Sequence, residues 1–276
     1  MLSFATNLSS DIEAFVIFVS EEYKFKDKQN VLSSITVQKI NSFLGLLKKK
    51  RKGEEVSSFD VSEKQKCFII KVKNKYKSFF PQESGGDLLS YIKKFKNIKK
   101  VYFCADSLDF DKTKSIIFFS QFIFGFNLKN YTFNKYKTLS KEKSNKEINF
   151  KIITSNKSTI EKEYRYYNAI KKGIFLTRDL VSEPPNILNP KAYVQEIKKL
   201  SKFGLNIKIY NEKEMKQLGL NALVGVGQGS VNGSYLATIE WNGKKKSNQK
   251  PLAFVGKGVC FDTGGISLKP ARFMEE

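Results

Sequence analysis

The sequence predicts an α/β fold in two parts: an N-terminal α/β domain joined by a long helix to a second α/β domain with a mixed or parallel sheet. Three observations predict it. Short apolar runs alternate with helix-spaced stretches through the first half of the chain. Residues 158–182 then carry apolar side chains at helical spacing, at Ile160, Tyr164, Tyr167, Ile170, Ile174, Leu176 and Leu180, over a length that suits a connector between domains. Finally, residues 252–255, Leu-Ala-Phe-Val, form the kind of uninterrupted apolar run that is buried on both faces of a parallel sheet, and Gly256 and Gly258 follow where the backbone must leave it. The expected boundaries are 1–155 for the first domain, 156–182 for the connecting helix and 183–276 for the second domain.

Composition narrows the function. The 276 residues are 41% hydrophobic and 28% charged, which excludes a mostly disordered chain. No apolar run approaches bilayer length and the N-terminus lacks a secretory pattern, so a cytoplasmic location without membrane association is expected. The chain contains no histidine, which removes serine–histidine and cysteine–histidine mechanisms and His-Glu-x-x-His zinc sites. Cys67, Cys104 and Cys260 are widely spaced in apolar surroundings and read as buried small hydrophobes in a reducing compartment. The net charge of +22 raises nucleic acid as a partner. Because the lysines are spread evenly, a general compositional bias competes with that reading.

In chain order, residues 14–19 read as a strand and residues 36–47 as a helix. The basic run that starts at Lys48 reads as a helix C-terminus closed by Gly53. Residues 67–72 are a strand. Gly85-Gly86 is expected to be a turn, with Asp87 as the N-cap of a helix over 88–95. A strand at 101–104 precedes a strongly apolar helix at 113–126, whose aromatic stripe is expected to be core. Residues 135–147 read as an exposed loop before a strand at 149–153. After the connecting helix, Pro184-Pro185 must stop it, and Asn189-Pro190 supplies a cap and a first-turn proline for a helix at 191–203. A strand at 206–210, a short helix at 212–218, a strand at 221–226 and a strand at 235–241 follow. The Gly-rich stretch from Gly225 fits neither a dinucleotide fingerprint nor a P-loop. A polar hairpin from Gly243 then leads to the run at 252.

Lys257, Asp262 and Lys269 gather after that last run, with Gly264-Gly265 able to turn the second lysine back over the first. Spacing alone leaves open whether these are two solvated lysines and a turn residue or a site. The words are more specific. Val255-Gly-Lys-Gly, Phe261-Asp-Thr-Gly-Gly and Ile266-Ser-Leu-Lys-Pro, in this order and without gaps, closely resemble the active-site signature of the leucine aminopeptidase (cytosol aminopeptidase) family. Thr177-Arg-Asp-Leu-Val-Ser-Glu-Pro-Pro-Asn resembles the word that opens that family's catalytic domain, and the stretch from Gly125 resembles the end of its N-terminal domain.

The resemblance implies a metal-dependent aminopeptidase that releases leucine-type N-terminal residues from peptides. Lys257 and Asp262 would be metal ligands, Lys269 the catalytic lysine facing the scissile carbonyl, and Met274 would lie near the pocket for the first side chain. The cofactors implied are two divalent ions, Mn2+ or Zn2+, which activate a bridging water. A lysine ligand must be neutral, and burial or an adjacent dication lowers its pKa enough for that. Further aspartates, a glutamate and an arginine of the family's pattern lie downstream of Lys269 and are absent here. The second domain is therefore expected to be an incomplete, truncated catalytic domain, and the chain alone to be inactive. Hexamers are implied for the full-length family and leave this chain's oligomeric state open. The competing reading is a non-catalytic binding or assembly module, on nucleic acid through its basic charge.

Overall fold

The computed structural model describes residues 2–9, 12–49, 54–138, 147–243 and 250–274. The fold is mixed α/β, and the chain divides into two compact units, Met1–Arg178 and Asp179–Glu276.

The first unit is built on a six-stranded sheet. Its strands are β1 (Phe4–Ala5), β2 (Ala14–Val19), β3 (Val56–Ser62), β4 (Gln65–Lys71), β5 (Lys100–Cys104) and β6 (Asn149–Ile153), in the order β1-β6-β5-β2-β4-β3. All neighbours are parallel except β3, which runs antiparallel to β4. β2 is central and wholly buried, as an unbroken apolar run requires when helices cover both faces. Side chains alternate between the two faces. Phe15, Ile17, Cys67, Ile69, Tyr102 and Cys104 pack with Ile40, Leu44 and Leu47 of α1 (Ser34–Lys49). Val16, Phe18, Phe68, Ile70, Val101 and Phe103 face α2 (Phe80–Ile92), α3 (Lys112–Asn130) and the start of α4 (Lys157–Ser182).

Two expectations need correction in this unit. Gly85-Gly86 is not a turn and Asp87 is not a cap, because α2 runs through all three. The glycines answer a different demand: a Cβ on Gly85 would lie 2.0 Å from the Phe122 carbonyl oxygen, and one on Gly125 1.9 Å from that of Gln82. α2 and α3 thus cross backbone to backbone, which glycine permits. The edge strands β1 and β3 were not expected either. The helix at 113–126 and its aromatic core are as expected: Asp111 caps α3 by accepting from the Lys114 N–H, and Phe18 meets Phe118, Phe119 and Phe122 edge to face. The expected cap at Gly53 and most of the expected loop, residues 139–146, lie outside the described residues.

Burial has a pH consequence here. It raises the Cys104 thiol from 9.0 to about 12 and the Tyr164 phenol from 10.0 to about 12, and it pushes the Cys67 thiol well up, with Cys104 nearby adding to the effect. Each group stays protonated in the fold at a pH where the unfolded chain has released its proton. The stability these groups contribute is complete below about pH 9 and is lost as pH rises toward 12. Urea unfolding at pH 8 and at pH 10.5 should therefore differ, with a loss on the order of 1.4 kcal/mol per pH unit for each ionising group. Equal stability at the two pH values would contradict this account.

α4 ends at Ser182, before Pro184-Pro185 as expected. Arg178 donates to the Leu128 carbonyl at 2.6 Å and lies over the Tyr131 ring. In the second unit, α5 (Pro190–Lys198) leads through a 3-10 turn at Lys199–Phe203 to β7 (Asn206–Tyr210). α6 (Glu212–Gln217) and α7 (Asn221–Gly227) follow, and β8 (Leu236–Glu240) pairs antiparallel with β7. Two expected strands are corrected. Residues 221–226 are helical, since a short apolar run carries no period that separates strand from helix. Residues 252–255 form no strand and are exposed, because among the described residues no strand lies beside them to share hydrogen bonds. The polar hairpin expected from Gly243 falls mostly on 244–249, outside the described residues. Among the described residues no helix is long and apolar enough to cross a membrane.

Candidate active site

The candidate site lies in the chain from Lys257 to Lys269. Its first fixed point is Gly258, where a Cβ would come within 2.9 Å of Cε1 of Tyr193. Tyr193 is set by the start of α5: Asn189 accepts from the Ala192 N–H at 3.0 Å, and Pro190 occupies the first turn. The cap legible in the sequence therefore also positions the ring against the Lys257-Gly258 backbone. Tyr193 itself carried no sequence signal beyond its place on an apolar helix face.

The second fixed point is a turn. Asp262 accepts from the Gly264 N–H at 2.7 Å, Gly264 and Gly265 take φ of 92° and 77°, and Lys269 N–H donates to the Thr263 carbonyl at 2.9 Å. A side chain at Gly264 would also meet the Ser267 carbonyl oxygen at 2.7 Å, so glycine is required there on two counts. This turn brings Lys269 Nζ to 3.3 Å from Asp262 Oδ2. The lysine thus folds back onto the carboxylate. Asp262 is held below its ordinary value of 3.8, chiefly by the Gly264 N–H, then by the hydrogen bond and charge of Lys269, with a weaker pull from Lys257. It is a stable anion at neutral pH.

The structure thus joins Asp262 and Lys269 directly and leaves Lys257 exposed, near enough to act on Asp262 electrostatically. Met274 is half-buried and closes the 3-10 turn Ala271–Phe273 through a backbone bond to Ala271. Cys67 and Cys104 are buried as expected, whereas Cys260, beside the site, is only half-buried.

An amine and a carboxylate are both donors to a divalent ion, but a transition metal takes about four or more ligands. Among the described residues no group of three or more His, Cys, Asp or Glu side chains converges. The residues present therefore do not by themselves fit the two metal ions that the sequence signature implies.

Comparison with known proteins gives this geometry its context. Residues 175–276 match the model of the cytosol aminopeptidase family, catalytic domain. A probable cytosol aminopeptidase of Phytoplasma mali is 41% identical over 197 residues, covering 70% of this chain and 39% of that protein. Another, of Agrobacterium fabrum, is 40% identical over 196 residues, covering 70% and 38%. This chain thus spans about two fifths of the length of these curated relatives. Among solved structures, a mutant of tomato leucine aminopeptidase has a TM-score of 0.70 at 20% identity, covering 96% of this chain and 55% of its own. The bottromycin maturation enzyme BotP in complex with Mn has a TM-score of 0.61 at 18% identity, covering 96% and 51%. At these identities the structures speak for the fold.

Proposed function

Since the chain belongs, through residues 175–276, to the cytosol aminopeptidase family, we propose that it forms part of a metal-dependent aminopeptidase releasing leucine-type N-terminal residues from peptides. The observation that carries the proposal is the turn that folds Lys269 onto Asp262 inside an unbroken family signature.

Amide hydrolysis places negative charge on the carbonyl oxygen as water attacks. A fixed cation at that oxygen stabilises the transition state more than the ground state, which is what raises the rate. Lys269 suits this role: its ammonium is partly shielded and already directed at an acceptor, so little reorganisation is needed for it to meet a carbonyl oxygen instead. Asp262, ionised and anchored by the Gly264 N–H, keeps the lysine charged and in place. Met274 would border the substrate's first side chain. A pair of divalent ions, Mn2+ or Zn2+, belongs to the proposal. Lys257 and Asp262 are what the described residues offer toward them, and the remaining donors must come from elsewhere in the assembled enzyme. Peptide substrates and a cytoplasmic setting complete the reading.

Two donors cannot complete two coordination shells, so the purified 276-residue chain is expected not to hydrolyse leucine amide with added Mn2+ or Zn2+. Turnover by that chain alone would contradict the proposal. For the competent enzyme, the test is a leucyl peptide against its N-acetylated form. Release of leucine from the free peptide alone is expected, and equal cleavage of both would rule out an aminopeptidase.

A further inference from the structure

The two units differ sharply in where their apolar side chains sit. In the first, Phe15, Phe18, Phe68, Phe103 and Phe122 have no exposed surface. In the second, the buried apolar residues among those described are Val194, Met215 and Val224. Its most apolar run faces solvent: Leu252 is 80% exposed, Phe254 89% and Val255 fully exposed. Soluble proteins rarely leave such a run uncovered unless it is an interaction surface.

The geometry of the exposure says what kind of partner fits. In an extended segment Leu252 and Phe254 point to one face and Ala253 and Val255 to the other, so apolar side chains need cover on both sides. β8 pairs with β7 on one edge, which leaves its other edge as a second open row of backbone groups. Ile239 and Trp241 at that end of β8 are exposed as well. A partner that both adds strands and lays apolar helices or strands over two faces would satisfy all of these at once.

We propose that residues 252–255 and the open edge of β8 are a docking surface for one occupant: a polypeptide corresponding to the part of a cytosol aminopeptidase catalytic domain that this chain does not match. The argument for that occupant is one of position and length. The exposed residues all lie within the span that matches the catalytic domain, and the chain accounts for about two fifths of its relatives. The inference rests on the family reading above and names the partner of its site.

The experiment uses the 276-residue chain and, as the probe, a separately produced C-terminal part of the Phytoplasma mali relative that its match leaves out. Both are combined by mixing and by co-expression, without metal or substrate. A one-to-one complex is expected by sedimentation, with amide exchange at 252–255 slowed about 100-fold or more. Val255→Asp and Phe254→Asp should each weaken it at least about 100-fold, as a charge placed in a desolvated apolar contact does. Because both side chains are exposed in the free chain, its circular dichroism and unfolding midpoint should not change. No complex by either route, or a complex indifferent to both substitutions, overturns the proposal. So does self-association of the chain alone with the same protection, which would make a second copy the occupant. Assembly is read without catalysis, so a complex that lacks peptidase activity refutes the proposed function and leaves the docking surface standing.

Discussion

Gly125→Ala is expected to destabilise the N-terminal unit by about 3 kcal/mol or more, at the upper end of what overpacking costs. The new Cβ would sit 1.9 Å from the Gln82 carbonyl oxygen and 2.7 Å from its Cα. These are backbone atoms, so no rotamer change relieves the clash and the helices must separate. Separation would draw Phe122 and Phe126 of α3 away from Phe103, the ring on which both close in the core. For a unit of this size the loss corresponds to a fall of about 6–12 °C in melting temperature. Gly86→Ala is the control, because nothing lies nearer than 3.8 Å to its Cβ. It should be neutral or mildly stabilising, since alanine is the better helix former by about 1 kcal/mol. Thermal unfolding of the two variants decides the matter, and equal melting temperatures would refute the close crossing.

Lys269→Met is expected to lower kcat of the competent enzyme about 10²–10³-fold with little change in KM, the loss seen when one donor to a developing oxyanion is removed. Methionine keeps the length and removes the charge. The fold should survive, because Lys269 lies in an exposed turn whose backbone bonds, Lys269 N–H to Thr263 and Gly264 N–H to Asp262, do not involve its ammonium. Steady-state kinetics on a leucyl substrate checks it. An unchanged kcat would take Lys269 out of the chemistry.

Much of this molecule could be read where the information is local. The limits of β2, β6 and β7, the stop at Pro184-Pro185, the Asn189 cap and the glycine turn after Asp262 follow from short-range period, proline sterics and side-chain capping. What escaped depends on distant partners. Gly85 looks like a turn residue until α3 is known to press on it from forty residues away in sequence, at Phe122 and Gly125. β3, with serines at 57, 58 and 62, holds its place as an edge by pairing with β4 rather than by its own hydrophobicity. Tyr193 gains its role only when Gly258 is folded against it. Residues 252–255 show the converse: their composition states burial, yet a strand exists only beside other strands. At the site, the signature led to Asp262 and Lys269. Their direct pairing differs from the expectation that Lys269 would fold over Lys257, because the Gly264-Gly265 turn returns the chain to the carboxylate first.

The most direct measurement is the initial rate of leucine amide hydrolysis, with Mn2+ present, by the protein as its own cells make it, wild type against Asp262→Asn. The account predicts release of leucine by the wild type and a rate lower by about 10²-fold or more in the variant, because the anion that holds Lys269 at the reacting oxygen is gone. Equal rates for the two proteins would contradict it.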